Sequence, residues 1–177
     1  PYEGGVRIPT LIRWPGESKR GAICDEPTMS IDFYPTLIEA AESYGPEGQI
    51  LDGHSLVPLL RYPGSALSRQ ALYWHYPHYH HSRPSSSIRM REHKLIHFFD
   101  DGGVELYNLA EDIGETNDLS AEEPELVREL LQELIIWRED TGALTPFWNE
   151  RHNPERAHEW WNKMKLEKLD LPAIKER

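Results

Sequence analysis

Residues 100–103, with the sequence Asp-Asp-Gly-Gly, are the feature that most limits how this chain can fold. Aspartate and glycine accept the positive φ angles that tight hairpin turns require. Apolar residues dominate on both sides of the turn, at 94–99 and at 104–109. The pattern therefore predicts an antiparallel hairpin in which residues 104–109 alternate between the two faces of a sheet.

Two further segments predict strands that precede this hairpin. Residues 70–76 are rich in aromatic and apolar side chains, and they follow a linker at 62–65 with the sequence Tyr-Pro-Gly-Ser. Residues 87–91 lead into 94–99 through a turn at Glu92-His93. Together with the hairpin, these segments predict a small antiparallel sheet.

A long helix is predicted after the sheet. Residues 120–123, Ser-Ala-Glu-Glu, have the capping-box pattern, in which Ser120 and Glu123 bond backbone amides of the first turn. Apolar residues then recur at spacings of three and four, and Gly142 is placed to end the helix. We expect this apolar side to pack on one face of the sheet. It consists of Leu126, Leu130, Leu131, Leu134 and Trp137.

The residues before the sheet predict the end of an α/β domain whose main sheet lies upstream. Residues 6–14 are apolar and β-branched, but Pro9 limits them to an edge strand or a broken one. Residues 30–41 predict a short helix, and residues 56–60 predict an apolar helical turn. The predicted organisation is the end of a catalytic domain at 1–62, a small sheet-and-helix domain at 69–143 and a C-terminal tail at 144–177.

The tail contains Trp148, Trp160 and Trp161 among charged residues, and residues 155–169 are compatible with one more helix. Because three tryptophans are unusual in a free segment, we expect the tail to pack on another part of the protein.

Composition excludes several classes of function. The chain has 30 Asp and Glu against 19 Lys and Arg, a net charge of −11, which argues against nucleic-acid binding. No run of about 18 apolar residues is present that would span a membrane. Cys24 is the single cysteine, so no internal disulfide can form. The N-terminus shows neither a methionine nor a signal peptide, so we expect the chain to begin inside a longer protein.

Residues 74–83 are the densest group of candidate binding residues, with four histidines within seven positions and aromatic residues between them. One interpretation is a substrate-binding loop, in which imidazoles and Arg83 donate hydrogen bonds and aromatic rings face a sugar. A metal site and an ordinary polar surface loop are the alternatives. The histidines are His75, His78, His80 and His81.

Residues 2–9 are the second candidate, because paired glycines let the backbone approach another element closely. Arg7 is suited to hold a carboxylate or an anion. On the residues alone, a structural turn before a strand is the preferred interpretation.

Several segments, taken in order, resemble sulfatases of the arylsulfatase type, in the alkaline phosphatase superfamily. The resemblance covers residues 1–143 and concerns the C-terminal portion of these enzymes. The segments are 2–9 (Tyr-Glu-Gly-Gly-Val-Arg-Ile-Pro), 32–37 (Asp-Phe-Tyr-Pro-Thr-Leu), 51–60, 74–79 (Trp-His-Tyr-Pro-His-Tyr), 105–109 (Glu-Leu-Tyr-Asn-Leu) and the acidic turn at 112–119.

The resemblance implies an α/β fold: the end of an alkaline-phosphatase-like sulfatase domain, followed by a small α+β domain with an antiparallel sheet and a packed helix. It also implies hydrolysis of a sulfate ester, of a sulfated glycan or an aryl sulfate. In this family a Cys or Ser in Cys/Ser-x-Pro-x-Arg becomes formylglycine, whose hydrated form attacks sulfur. Calcium neutralises the sulfate oxygens there, and lysine and histidine stabilise the leaving oxygen.

No catalytic residue and no metal ligand is carried over to this chain. Cys24 lacks the proline of the formylglycine motif, and Ser82 has Ser86 where the motif needs arginine. The family's lysine ahead of the Glu-Gly-Gly turn would fall before Pro1. What the resemblance implies here is support of the active site, by Glu3, Gly4, Gly5 and Arg7.

The resemblance also implies substrate contact by the histidine-rich loop, through His75, His78, Tyr79 and His80. We therefore interpret the chain as the C-terminal part of a sulfatase, inactive alone, with calcium and formylglycine held by the rest of the sulfatase domain. A phosphodiesterase or phosphonate hydrolase of the same superfamily and a non-catalytic binding module are the open alternatives. The family is compatible with a periplasmic, secreted or lysosomal location.

Overall fold

A four-stranded antiparallel sheet is the centre of the structure, a computed structural model that describes residues 1–80 and 82–147. The strands follow one another in space as they do in sequence, in the order β1-β2-β3-β4. Each strand predicted for the sheet is present, and its ends lie within about two residues of the predicted ones. The strands are β1 (Ala71–Tyr76), β2 (Ser85–Met90), β3 (His93–Phe98) and β4 (Val104–Asn108).

The hairpin between β3 and β4 forms as its sequence predicts. The amide of Phe98 donates to the Gly103 carbonyl oxygen at 2.9 Å, and Gly102 has a φ of 73°. The Asp101 carboxylate accepts the Gly103 amide at 2.8 Å. Glycine is therefore required at 102 for its positive φ, and aspartate at 101 stabilises the turn.

One helix covers one face of the sheet, also as predicted. This helix, α4 (Pro124–Asp140), buries Leu130 and Leu134 against Ile88, Leu95 and Leu106 of the three strands β2, β3 and β4. It ends at Thr141, and Gly142 follows with a φ of 62°. The spacing of the leucines therefore located both the helix and its buried side.

The predicted capping box at the start of this helix is wrong. The helix begins at Pro124, and its N-cap is Glu123, whose side chain makes no capping hydrogen bond. Proline excludes the helical conformation for the residue before it and is itself favoured as the first helical residue. Pro124 therefore fixes the helix start four residues after Ser120, whose amide donates to Asp118 Oδ1 instead.

Residues 1–62 contain three short helices, α1 (Glu3–Val6), α2 (Phe33–Ala40) and α3 (Val57–Arg61), with a 3₁₀ turn at Ser30–Asp32. The helices predicted at 30–41 and 56–60 are thus confirmed. The strand predicted at 6–14 is wrong, because Val6 ends α1 and residues 7–14 have no regular structure. Pro9 has no amide to donate to a neighbouring strand, and Ile8 and Leu11 are exposed.

The chain divides into two compact units, Pro1–Thr145 and Pro146–Arg177. Residues 1–62 and the sheet thus share the first unit. The helix predicted at 155–169, and Trp148, Trp160 and Trp161, lie outside the described residues. None of the described helices is long and apolar enough to cross a membrane.

Candidate functional site

The face of the sheet opposite α4 carries buried charged side chains. Side chains alternate along a strand, so Lys94 and Leu95 point to opposite faces, and Leu95 is the one that packs on α4. The register places Arg89 and Tyr107 beside Lys94 on the second face. Lys94 has no exposed surface, although lysine is almost never fully buried without a partner.

The partners of Lys94 are two carboxylates from distant parts of the chain. Its Nζ donates to Glu3 Oε1 at 2.9 Å and lies 3.0 Å from Glu115 Oε1. The second contact has the distance of an ion pair without the alignment of a hydrogen bond. The side chains of Glu3 and Glu115 are 5% and 3% exposed. Such a pairing offsets the cost of removing three charges from water.

The backbone of α1 takes part in the same cluster. The amide of Glu3 donates to Glu115 Oε2 at 2.5 Å, and Glu115 has a φ of 53°, which is uncommon for a residue other than glycine. Arg89 adds a weaker contact at 3.8 Å from Glu3 Oε2. We call Glu3, Lys94 and Glu115 the buried ion cluster. It connects the turn at 3–7 to the middle of the sheet.

Tyr2 reinforces this connection. Its hydroxyl donates to Glu105 Oε2 at 2.8 Å, and Tyr107 donates to the same oxygen at 3.0 Å. Burial and the hydrogen bond to Glu105 raise the pKa of Tyr2 to about 12. Both phenols therefore stay protonated donors at neutral pH, and the N-terminal segment is held to β4 as well as to β3.

The other three residues predicted to support an active site lie at the surface. Gly4, Gly5 and the side chain of Arg7 are exposed, while the Arg7 amide closes the turn onto the Glu3 carbonyl oxygen at 2.8 Å. A Cβ atom at Gly4 or Gly5 would meet no atom within 4 Å in the described part of the chain. Close contacts among the described residues therefore do not explain why glycine occupies positions 4 and 5. The supporting role predicted for Gly4, Gly5 and Arg7 stays a prediction.

His75 lies on the side of the sheet that faces α4, apart from the other predicted substrate contacts. Its Nε2 is 2.8 Å from the Leu144 carbonyl oxygen and its Nδ1 is 2.6 Å from Ser86 Oγ. Because a carbonyl oxygen can only accept, Nε2 carries the proton and Nδ1 accepts from the serine hydroxyl. The ring also meets Trp137 and Phe99 edge to face. Both ring nitrogens are thus used inside the chain.

His78 and His80 come together around an aromatic ring in the loop between β1 and β2, of which residues 77–80 and 82–84 are described. The rings of His78 and His80 lie 5.6 and 6.4 Å from that of Tyr76, both in edge-to-face geometry. These residues and Tyr79 are exposed. The loop therefore presents imidazoles and phenol rings to solvent at one end of the sheet, which suits hydrogen bonding and stacking with a sugar.

The metal-site interpretation of this loop finds no support in the described residues. Within 1–80 and 82–147, no group of three or more His, Cys, Asp or Glu side chains has the geometry to hold a metal ion. His81 lies outside that part of the chain. Cys24, the candidate that the motif already excluded, is exposed.

Arg83 connects the β1–β2 loop to the β3–β4 hairpin. Its Nε lies 3.0 and 2.9 Å from the two carboxylate oxygens of Asp100, and its Nη2 lies 2.6 Å from Asp100 Oδ1 and 2.5 Å from Asp101 Oδ1. The guanidinium also lies over the Phe98 ring, 4.2 Å from its centroid. The sequence suggested Arg83 as a donor to an anion or to sugar hydroxyls, but these two carboxylates occupy its Nε and Nη2.

A second buried ion pair connects residues 1–62 to the start of β1. Asp32 is fully buried and accepts both Nη atoms of Arg69, at 2.8 and 2.7 Å. It also accepts the amides of Met29 and His54, at 2.7 and 2.9 Å. Burial alone would raise the pKa of Asp32, but these hydrogen bonds outweigh it and the pKa is lowered. Sequence reasoning missed this role because Asp32 and Arg69 are 37 positions apart in the sequence.

A cleft of about 420 Å³ lies at the opposite end of the sheet from the histidines, where β1 begins and β2 and β4 end. Three arginines line it together with three carboxylates, so it offers no net positive field to a sulfate group. The charged lining residues are Arg69, Arg89, Arg91, Asp25, Glu26 and Glu92.

Comparison with known proteins identifies sulfatases as relatives of this chain. Residues 1–140 match the family model described as N-sulphoglucosamine sulphohydrolase, C-terminal. The chain is 35% identical over 163 residues to a sulfatase of Formosa agariphila, covering 83% of this chain and 30% of the relative. It is 34% identical over 139 residues to an N-acetylglucosamine-6-O-sulfatase of Bacteroides thetaiotaomicron, covering 74% of this chain and 25% of the relative.

A solved structure shares the fold. It is that of BT4656 in complex with its substrate D-glucosamine-2-N,6-O-disulfate, with a TM-score of 0.63 and 33% identity. The match covers 73% of this chain and 27% of that protein. The chain thus spans less than a third of the length of each of these three proteins.

Proposed function

Because this chain belongs to the sulfatase family and matches its C-terminal part, we propose that the whole protein hydrolyses sulfate esters of a sulfated glycan. The fold is the end of the α/β sulfatase domain followed by a small antiparallel sheet with a packed helix. In this proposal the chain supplies scaffold through the turn at 3–7 and one wall of the substrate pocket through the β1–β2 loop. The reacting groups belong to the rest of the sulfatase domain.

The buried ion cluster is the observation that carries this proposal. Glu3 lies in the turn that resembles the active-site segment of sulfatases, and Lys94 lies in a central strand of the sheet. Because Glu3 cannot leave Lys94 without becoming a buried carboxylate that lacks its cation, the turn is held against the sheet. The same sheet carries the β1–β2 loop, so the loop is held at a fixed place relative to the turn.

A sulfated glycan is the preferred substrate class for two reasons. A sulfated glucosamine is named in one relative, the N-acetylglucosamine-6-O-sulfatase, and in the solved substrate complex of BT4656. The β1–β2 loop independently offers exposed aromatic rings beside imidazole donors and acceptors, which is the usual equipment for a sugar ring with hydroxyl groups. An aryl sulfate has one apolar ring and needs fewer of these polar groups.

Calcium and formylglycine belong to the proposed whole protein and not to this chain. The described residues do not fit either group, because they hold no metal-binding cluster and Cys24 lies outside the formylglycine motif. The residues of this chain bind, orient and hold the pocket in place.

The direct test is sulfate release by the full-length protein. We expect it to release inorganic sulfate from 6-O-sulfated glucosamine faster than from 4-nitrophenyl sulfate, in terms of kcat/KM. Hydrolysis of a phosphodiester or a phosphonate with no sulfate release would assign the protein to another branch of the superfamily. Absence of any hydrolysis together with sugar binding would make it a binding module.

A further inference from the structure

The guanidinium of Arg83 is the main side-chain connection between the β1–β2 loop and the rest of the sheet. Arg83 closes the loop just before β2, and both of its acidic partners lie in the β3–β4 hairpin. A backbone hydrogen bond from the Phe99 amide to the Pro84 carbonyl oxygen, at 2.9 Å, runs beside it. The two turns at this end of the sheet are therefore joined by ion pairs and by a neighbouring backbone hydrogen bond.

Asp100 extends this connection to a predicted substrate contact. Burial and the negative charge of Asp100 raise the pKa of Tyr79, which indicates that the phenol lies close to that carboxylate. Asp100 thus lies between Arg83 and Tyr79. A change at Arg83 leaves the Asp100 carboxylate without its cation, so Asp100 is no longer fixed as the neighbour of Tyr79.

We propose that Arg83, with Asp100 and Asp101, is a positioning device that fixes the β1–β2 loop and so sets the affinity for the sugar part of the substrate. The inference rests on the proposed function for the role of the loop. It adds that the loop is held in its binding conformation before the sugar arrives. Nε and Nη2 of Arg83 are held by the two aspartates, so the role proposed for Arg83 is to position the loop.

The geometry requires arginine and not only a positive charge. The planar guanidinium donates to both oxygens of Asp100 and reaches Asp101 while its face covers Phe98. A lysine ammonium has neither the planar face nor the paired donors, so it can hold one carboxylate at a time. We therefore expect Arg83→Lys to give a partial defect and Arg83→Met a full one.

Release of the loop should weaken binding and leave the chemistry intact. Side chains that are mobile in the free protein must be ordered when the sugar binds, and this loss of conformational freedom weakens binding. Loss of order at Tyr79 and one neighbouring side chain thus predicts about a tenfold rise in KM, equivalent to about 1.4 kcal/mol. The kcat should stay the same, since the reacting groups lie elsewhere.

The experiment compares Arg83→Met and Arg83→Lys with wild type in the full-length protein, on D-glucosamine-2-N,6-O-disulfate and on 4-nitrophenyl sulfate. Arg128→Met is the matched control, because Arg128 pairs with Glu125 on the exposed side of α4. We expect KM for the sugar to rise about tenfold in Arg83→Met and less in Arg83→Lys. All values for 4-nitrophenyl sulfate, and all values for Arg128→Met, should stay within about twofold of wild type.

Equal KM for the sugar in wild type and Arg83→Met overturns the inference. So does an equal loss on both substrates, because a general structural defect would not distinguish them. If wild type releases no sulfate, the proposed function fails, and Kd for the disulfated sugar measured by calorimetry replaces KM. A wild-type affinity no higher than that of Arg83→Met, including no binding by either, then overturns the inference as well.

Discussion

Lys94 Nζ lies 2.9 Å from Glu3 Oε1, although the two residues are 91 positions apart in the sequence. Glu115 adds a second carboxylate 3.0 Å from Lys94 Nζ, from a third part of the chain beyond the last strand. Two segments that resemble sulfatase motifs, 2–9 and 112–119, therefore meet a central strand of the sheet at one buried point. The pocket proposed above depends on this packing.

Replacement of Lys94 tests the buried ion cluster. Lys94→Met leaves two buried carboxylates without a cation, which should lower the free energy of unfolding by about 3–5 kcal/mol. Thermal unfolding followed by circular dichroism measures the change. Lys19→Met removes an exposed lysine and should leave the midpoint unchanged. Adding Glu3→Gln and Glu115→Gln to Lys94→Met should recover part of the loss, and a triple variant less stable than Lys94→Met would contradict the account.

The pH dependence of stability tests the pair of Asp32 and Arg69. The pKa of Asp32 is lowered in the folded state, so its contribution is present above about 3.9, the ordinary aspartate value, and is lost as the pH falls through the folded value. Asp32→Asn should lose about 3 kcal/mol at pH 7 because Arg69 loses its carboxylate partner.

The difference between wild type and Asp32→Asn should shrink as the pH falls below about 3.9, because the unfolded wild type then binds a proton that the folded state binds only at lower pH. Midpoints of thermal unfolding at a series of pH values between neutral and acidic measure it. A difference in unfolding midpoint that stays constant across the series would show that Arg69 and the two amides do not lower the pKa of Asp32.

His75 and His78 should behave differently when each is replaced by alanine. His75→Ala leaves Ser86 Oγ and the Leu144 carbonyl oxygen without partners, so we expect a loss of about 1–3 kcal/mol in stability. His78→Ala removes an exposed ring and should raise KM for the sugar about fivefold with little change in stability. Kinetics and thermal unfolding of both full-length variants separate the two effects. Unchanged stability with a raised KM in His75→Ala would restore direct substrate contact by His75.

Gly53 tests how closely the turn after α2 packs. A Cβ atom at this position would lie 2.1 Å from the Ile31 carbonyl oxygen, which is backbone and cannot rotate away. We expect Gly53→Ala to lower the free energy of unfolding by at least about 2 kcal/mol. Gly64→Ala is the control, since a Cβ atom there meets nothing within 4 Å and the φ is not positive. Equal unfolding midpoints for the two variants would show that the close contact is absent in solution.

Local sequence patterns were sufficient for the sheet and for α4. Residues 100–103 carry the turn geometry in their own backbone preferences, and the leucine spacing of α4 depends only on the helical period. The cap at Ser120 failed because a single proline, Pro124, overrides the preference of the residues before it. The strand at 6–14 failed because a strand needs a neighbour, which composition does not specify.

The site was less predictable than the fold because its contacts join distant residues. The pattern Lys94-Leu95-Ile96 indicates a strand, but nothing local reveals that the lysine is buried between Glu3 and Glu115. The same holds for Arg83, since its partners Asp100 and Asp101 also satisfy the requirements of a turn. An acidic pair in a turn opposite an arginine in the neighbouring loop is the signal that would have identified this connection.

Sulfate release is the measurement that tests the central claim most directly. The claim is that these residues form scaffold and a pocket wall, while the groups that react belong to the rest of the sulfatase domain. The full-length protein should release sulfate from 6-O-sulfated glucosamine, and the 177-residue chain alone should release none above a protein-free blank. Sulfate release by the 177-residue chain, or none by the full-length protein, would contradict the account.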